Sequence, residues 1–145
     1  AQLFAAILGL QLDKEFCYDN VKRLLEVAGG HGNVVRIDME DSPTTDDTFY
    51  IFSRLNERFD NVGCVVQACL RRTLSDVRSL TGIKANVRLC KGIYIEPREI
   101  AYLDREEVRK SYVLLLEELL AGGCYVGIAT HDEWLVEEEI GRAHV

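Results

Sequence analysis

The chain has 145 residues, of which 48% are hydrophobic and 28% charged, enough apolar material for one ordinary core. No apolar run approaches the roughly eighteen residues that a membrane-crossing helix requires. The formal net charge of −7 gives a surface that repels phosphate backbones and excludes nucleic acid as a partner.

The first residues, Ala1 to Leu12, are apolar but lack a basic leader and run into Asp13-Lys14-Glu15. They read as the end of a buried strand and a loop, not as a signal peptide. Apolar residues at helical spacing (Val21, Leu24, Leu25, Ala28) predict a helix over 14–28, stopped by Gly29-Gly30. A strand over 33–39 follows, then a turn at Ser42-Pro43. A helix capped by Thr45 or Asp46 runs to about Phe59. The run 61–68 is apolar at nearly every position, as a parallel strand buried on both faces must be. A short helix over 73–80, a strand over 86–90, a loop over 91–102, a long helix over 104–120 and a strand over 125–130 complete the series. A last helix begins near Asp132.

Strands separated by crossover helices must pair in parallel. The candidates are a TIM-type barrel and an open doubly wound sheet. No G-x-G-x-x-G turn follows a strand, which favours the barrel: an α/β fold, a partial (β/α)8 barrel with parallel strands over 1–138. The tail Glu139–Val145 breaks the preceding helical pattern and resembles a translated sequencing adapter. It is read as non-native, so that the true chain continues past Glu138. Five cysteines (Cys17, Cys64, Cys69, Cys90, Cys124) without C-x-x-C spacing point to reduced thiols in a reducing compartment, not to a disulfide framework or a zinc site.

Polar residues gather at the carboxyl end of each strand: Asp38-Met39-Glu40-Asp41, then Gln67 with Arg71-Arg72, then Arg88 with Lys91-Gly92, then Thr130-His131-Asp132. In a parallel barrel these ends converge on the face that carries active sites. Each residue has a plainer reading. Arg88 lies in an apolar run and needs a counter-ion, for which Asp38 is a candidate. Gln67 either satisfies loop backbone or reads the edge of a flat heterocycle. Thr130-His131-Asp132 also resembles a helix-capping sequence. Lys91 is open to three uses: Schiff base, anion contact or solvent. Gly92 permits close approach of the backbone to a ligand. The acidic stretch Asp38 to Asp47 has no histidine at ligand spacing, so no metal is expected.

Four segments in order resemble the central motifs of proline dehydrogenases: Val35–Ser42, Gly63–Arg72, Val87–Pro97, which is similar to the R-L-V-K-G-A-Y signature, and Ile128–Asp132, which matches A-T-H-(D/N). The resemblance covers roughly residues 9 to 138. It implies a distorted (β/α)8 barrel with noncovalent FAD, oxidation of L-proline to Δ1-pyrroline-5-carboxylate, and electron transfer to a quinone or other acceptor, placing the protein in the cytoplasm or at a membrane surface. It implies Asp38 and Arg88 as catalytic positions, with Arg88 stabilising charge on the reduced flavin. Met39, Gln67, Arg88, Lys91, Gly92, Ile93, Thr130 and His131 are the implied flavin contacts, and Tyr94 the implied wall of the substrate side. The sequence departs from the family in three places. Ile93 replaces the usual Ala. Phe4 aligns with a substrate-contacting Lys ahead of Leu8-Gly9-Leu10. The paired arginines that clamp the substrate carboxylate lie on a later helix, and Arg71-Arg72 are in the wrong element to replace them. Unpaired sheet edges in such a fragment predict poor independent folding and no turnover by these residues alone. Two other readings remain at this stage: a barrel lyase or aldolase with Lys91 as Schiff-base nucleophile, and a non-catalytic barrel remnant acting through protein contacts.

Overall fold

The computed structural model describes residues 2–4, by their backbone, and residues 8–137. The expected non-native tail lies outside them. Two compact units meet at the boundary after Val65.

In the first unit, β1 (Gln2–Phe4), α1 (Lys14–Gly30), β2 (Val35–Asp38), α2 (Thr45–Asn56) and the start of β3 (Val62–Gln67) alternate. β2 pairs in parallel with β1, Phe4 opposite Asp38, and with β3, Ile37 opposite Cys64. α1 begins where the Asp13 carboxylate accepts the Phe16 N–H at 2.8 Å, a side-chain cap. It continues through Gly29 and Gly30 instead of stopping there. The chain leaves the helix at Gly32, whose φ of +67° suits a residue without Cβ, and Asn33 N–H donates back to Ala28 O. Gly9, with φ +98°, holds the turn before α1, and the Phe16 ring occupies the space where a Cβ would stand.

A short 3-10 turn, Ser42–Thr44, leads into α2. The expected cap is displaced by one residue. Thr44 stands at the cap position, but its hydroxyl donates back to Asp41, and Thr45 is already inside the helix and buried. α2 ends at Asn56, short of the expected Phe59. Its buried residues Ile51, Phe52 and Leu55 supply the core together with Cys17, Tyr18, Val21 and Leu25 of α1. On the surface the Arg54 guanidinium lies over the Tyr18 ring at 4.2 Å and over Tyr50 at 5.3 Å, and pairs with Glu15.

The second unit takes up the end of β3 and contains α3 (Thr73–Gly82), β4 (Asn86–Cys90), α4 (Arg105–Ala121) and β5 (Tyr125–Ala129). Residues 133–137 are helical. β4 and β5 pair in parallel from Asn86 opposite Tyr125 to Cys90 opposite Ala129. Along β4, Val87 and Leu89 are buried, while Asn86, Arg88 and Cys90 are half-buried, so the strand shows the two-residue period of its faces. α4 is capped by Asp104, which accepts the Glu106 and Glu107 N–H groups. It buries Tyr112, Leu115, Leu116 and Leu119, the stripe that a period of about 3.6 residues dictates. Gly122 lets the end of α4 approach α3, since a Cβ there would lie 2.4 Å from the Thr81 methyl. Tyr112 fastens α4 to both strands: its hydroxyl donates to Leu89 O at 2.8 Å and accepts from the Ala129 N–H at 3.3 Å.

Candidate active site

The strand ends of the second unit assemble a polar cluster. After β3 the chain stays in register with the segment after β4, because Ala68 N–H donates to Cys90 O and Cys69 N–H to Lys91 O, each at 2.8 Å. Gln67 is buried, its carbonyl accepting the Thr73 hydroxyl at 2.6 Å. The side-chain oxygen of Gln67 accepts weakly from the Cys69 thiol, at 3.9 Å. Gly92 packs straight onto this pair. With φ +101°, it has no room for a Cβ, which would stand 2.3 Å from Cys69 Sγ and 2.8 Å from Gln67 Oε1. Close backbone approach was expected at Gly92; the group it approaches within the protein is Cys69. Burial pushes the Cys69 thiol up to about 11, with the Cys90 thiol adding to the shift, so it stays a neutral donor.

Lys91 and the segment after β5 meet at one carboxylate. Asp132 has a fully buried side chain. Arg109 of α4 grips it with two hydrogen bonds, Nε to Oδ2 at 3.0 Å and Nη2 to Oδ1 at 2.6 Å. Lys91 Nζ reaches Oδ2 at 3.2 Å, and Arg105 Nη2 lies 3.5 Å from the same oxygen. The Asp132 N–H donates to the Thr130 hydroxyl at 3.1 Å. The Arg109 hydrogen bonds, followed by those of Lys91, hold the Asp132 carboxyl far below the usual carboxylate range. Arg109 is itself pinned by Glu106 at 2.7 Å and by the Trp134 ring at 5.3 Å.

The expected residues are thus sorted. Gln67, Lys91, Gly92, Thr130 and His131 stand on or just after the carboxyl ends of strands in the second unit, and Arg88 stands at the middle of β4. Arg88 is half-buried within β4, with its Nε shielded from solvent. His131 is exposed, Tyr94 is partly exposed, and Ile93 is 88% exposed. Asp38 and Met39 close β2 in the first unit, where both are buried. Sequence reasoning missed Arg105, Arg109 and the role of Asp132. The available signal was the spacing of Arg105 and Arg109, one turn apart on the first turns of α4. The ion pair also bears on Lys91 as a nucleophile: a Schiff-base amine must be neutral and free to attack, and this ammonium is bound to a carboxylate. Among the described residues no three His, Cys, Asp or Glu side chains group as metal ligands, and no helix is long and apolar enough to cross a membrane.

No family model matches the chain. It is 32% identical over 139 residues to proline dehydrogenase 2 of Bacillus subtilis, covering 94% of this chain and 46% of that protein. It is 36% identical over 121 residues to the proline dehydrogenase of Deinococcus radiodurans, covering 82% of this chain and 39% of that protein. The chain therefore spans less than half the length of the curated relatives it matches. Among solved structures, it superposes on proline utilization A (PutA) from Bdellovibrio bacteriovorus inactivated by N-propargylglycine with a TM-score of 0.79 at 23% identity, over 97% of this chain and 18% of that one. A bifunctional PutA protein matches with a TM-score of 0.86 at 17% identity, over 99% of this chain and 18% of that one. The expected fold class holds: α/β, with parallel strands and crossover helices as in part of a (β/α)8 barrel.

Proposed function

We infer that this chain, which belongs to the proline dehydrogenase family, supplies the flavin-facing part of a barrel that oxidises L-proline to Δ1-pyrroline-5-carboxylate with FAD. The observation that carries this reading is an identity of 32–36% to curated proline dehydrogenases, extending over 82–94% of the chain. The donor set suits that cofactor. Gln67 offers a buried amide to a flat heterocycle, and the three cations around Asp132 outnumber its charge, as a diphosphate-bearing ligand needs.

FAD, when bound, supplies the acceptor for a hydride from the proline ring carbon next to nitrogen. The residues of this chain set the conditions for that transfer. Arg88 provides a fixed cation where negative charge builds during reduction. By the family resemblance, Met39 and Gln67 would be ring contacts. Lys91, Gly92 and Ile93 contribute contacts from the segment after β4, and Thr130 and His131 contact the ring or the phosphates. Tyr94 walls the substrate side. Asp38 takes the proton that the proline amine must lose before its ring carbon can give up hydride. The electrons pass on to a quinone or another acceptor, and five cysteines outside any disulfide suit a reducing compartment, which supports a cytoplasmic or membrane-surface location.

The test is turnover by the full-length chain. With L-proline and an artificial dye as acceptor, the reading expects dye reduction and a product lighter than proline by two hydrogens. A protein that folds and binds L-proline but leaves the dye oxidised contradicts it. The lyase reading is not favoured, because Lys91 is committed to Asp132.

A further inference from the structure

We propose that Asp132 is a positioning residue for the cofactor site: held from behind by Arg109, it fixes the Lys91 ammonium in place before the ligand arrives. The inference rests on the flavoprotein reading above and adds to it a residue given no role there.

The geometry has a buried side and an open side. On the buried side, Arg109 is 13% exposed and uses three nitrogens, two on Asp132 and one on Glu106, with Trp134 against its guanidinium. Such a fork leaves the carboxylate little freedom to turn. On the open side, Lys91 is 37% exposed and Arg105 69% exposed, and both reach Oδ2. Lys91 has a four-carbon stem with many rotamers. Left in solvent, it loses that freedom at the moment it meets a ligand, which weakens binding. Pinned to Oδ2, it has already lost it. Asp132 also links two strand ends that β4–β5 pairing places side by side. Cys90, the residue before Lys91, is opposite Ala129, and the Asp132 N–H is fastened to Thr130. One carboxylate therefore sets the relative position of the two segments expected to touch the cofactor. A carboxylate beside an anionic ligand is otherwise a liability. It is tolerable here because three cations surround it, leaving the cluster net positive.

The test measures FAD affinity by titrating the full-length apoprotein, with no turnover needed. Asp132→Asn should weaken FAD binding by about 3- to 10-fold, the loss expected when a rotamer-rich side chain must be ordered on binding. In a Lys91→Met background, the same change should have no further effect, because Asp132 acts through Lys91. Arg109→Gln, which leaves both Lys91 and Asp132 in place, should weaken binding in the same direction. An Asp132→Asn penalty that persists undiminished in the Lys91→Met background would mean a purely structural role, and overturns the proposal. If Asp132→Asn does not fold, as judged by circular dichroism, Arg109→Gln decides: unchanged affinity overturns it. Wild-type protein that folds and binds no FAD overturns the flavoprotein reading itself, an outcome distinct from wild-type binding with unaltered variants.

Discussion

Arg109 and Asp132, 23 residues apart in sequence, form a two-pronged ion pair at 3.0 and 2.6 Å that fastens the first turns of α4 to the segment after β5. The carboxylate is shielded from solvent and surrounded by cations, so its charged form is strongly favoured in the folded state. Its carboxyl is lowered below the ordinary value of 3.8, and the unfolded chain therefore takes up the proton first as pH falls. The stabilisation is complete above that ordinary value and is lost as the solution becomes more acid than it. Denaturant midpoints of the full-length chain, measured between about pH 5 and 2, should fall steeply for wild type and less steeply for Asp132→Asn. Equal slopes would show that the pair contributes nothing to acid stability.

Gly92 should tolerate no side chain. Its φ of +101° strains any L-residue, and an added Cβ meets Cys69 Sγ at 2.3 Å. Gly92→Ala should cost about 2–4 kcal/mol, combining the backbone strain with the overpacking. Adding Cys69→Ala removes the sulfur collision but leaves the 2.8 Å approach to Gln67 Oε1 and the backbone strain, so the double variant should recover only part of the loss. Full recovery would show that the backbone conformation carries no cost.

The alternation of strands and helices was legible in the sequence because each element carries its own period. The stripe Tyr112, Leu115, Leu116, Leu119 and the continuous apolar run of β3 fix helix and strand without tertiary information. The strand ends were legible for the same reason: polar residues interrupt apolar runs at Gln67, Lys91 and Thr130. Four features were not. Gly29-Gly30 reads as a helix stop, but the left-handed residue that ends α1 is Gly32, and helix propensity alone does not choose among three nearby glycines. The cap of α2 shifted because the 3-10 turn at Ser42–Thr44 extends the helical path toward the N-terminus. The Asp132 cluster depends on α4 lying beside the β4 and β5 ends; the one-turn spacing of Arg105 and Arg109 marks a shared face but does not name the carboxylate they reach. The exposure of Ile93 likewise follows from how the loop after β4 runs, not from its apolar character.

Tyr112 is the buried fastener between α4 and the β4–β5 pair. Tyr112→Phe keeps the ring and its packing while leaving Leu89 O and the Ala129 N–H without that partner. The expected loss is about 1–3 kcal/mol, because a buried polar group stripped of its hydrogen bond pays its full desolvation cost. Chemical denaturation of the variant checks this, and a change within about 0.5 kcal/mol of wild type would show that water replaces the hydroxyl.

The thiols should differ in reactivity. Burial raises Cys17 and Cys69 to about 11, so almost none of either is thiolate near neutral pH. Cys90 is half-buried, less enclosed than Cys17 or Cys69, and its thiol donates to Val66 O at 3.4 Å. Iodoacetamide at about pH 7.5 should label Cys90 well before Cys17 or Cys69 in the folded protein, while all react once guanidinium unfolds the chain. Peptide mass mapping gives the order, and early labelling of Cys69 would contradict its packing against Gly92.

The strand-end cluster is proposed to serve a flavin that proline reduces. The most direct measurement is the visible spectrum of the full-length chain, recorded without oxygen before and after L-proline is added. The expected result is a bound-flavin spectrum that bleaches with L-proline and does not bleach when Arg88→Met removes the cation. A folded protein that stays colourless after incubation with FAD, or one whose flavin spectrum L-proline leaves unchanged, contradicts it.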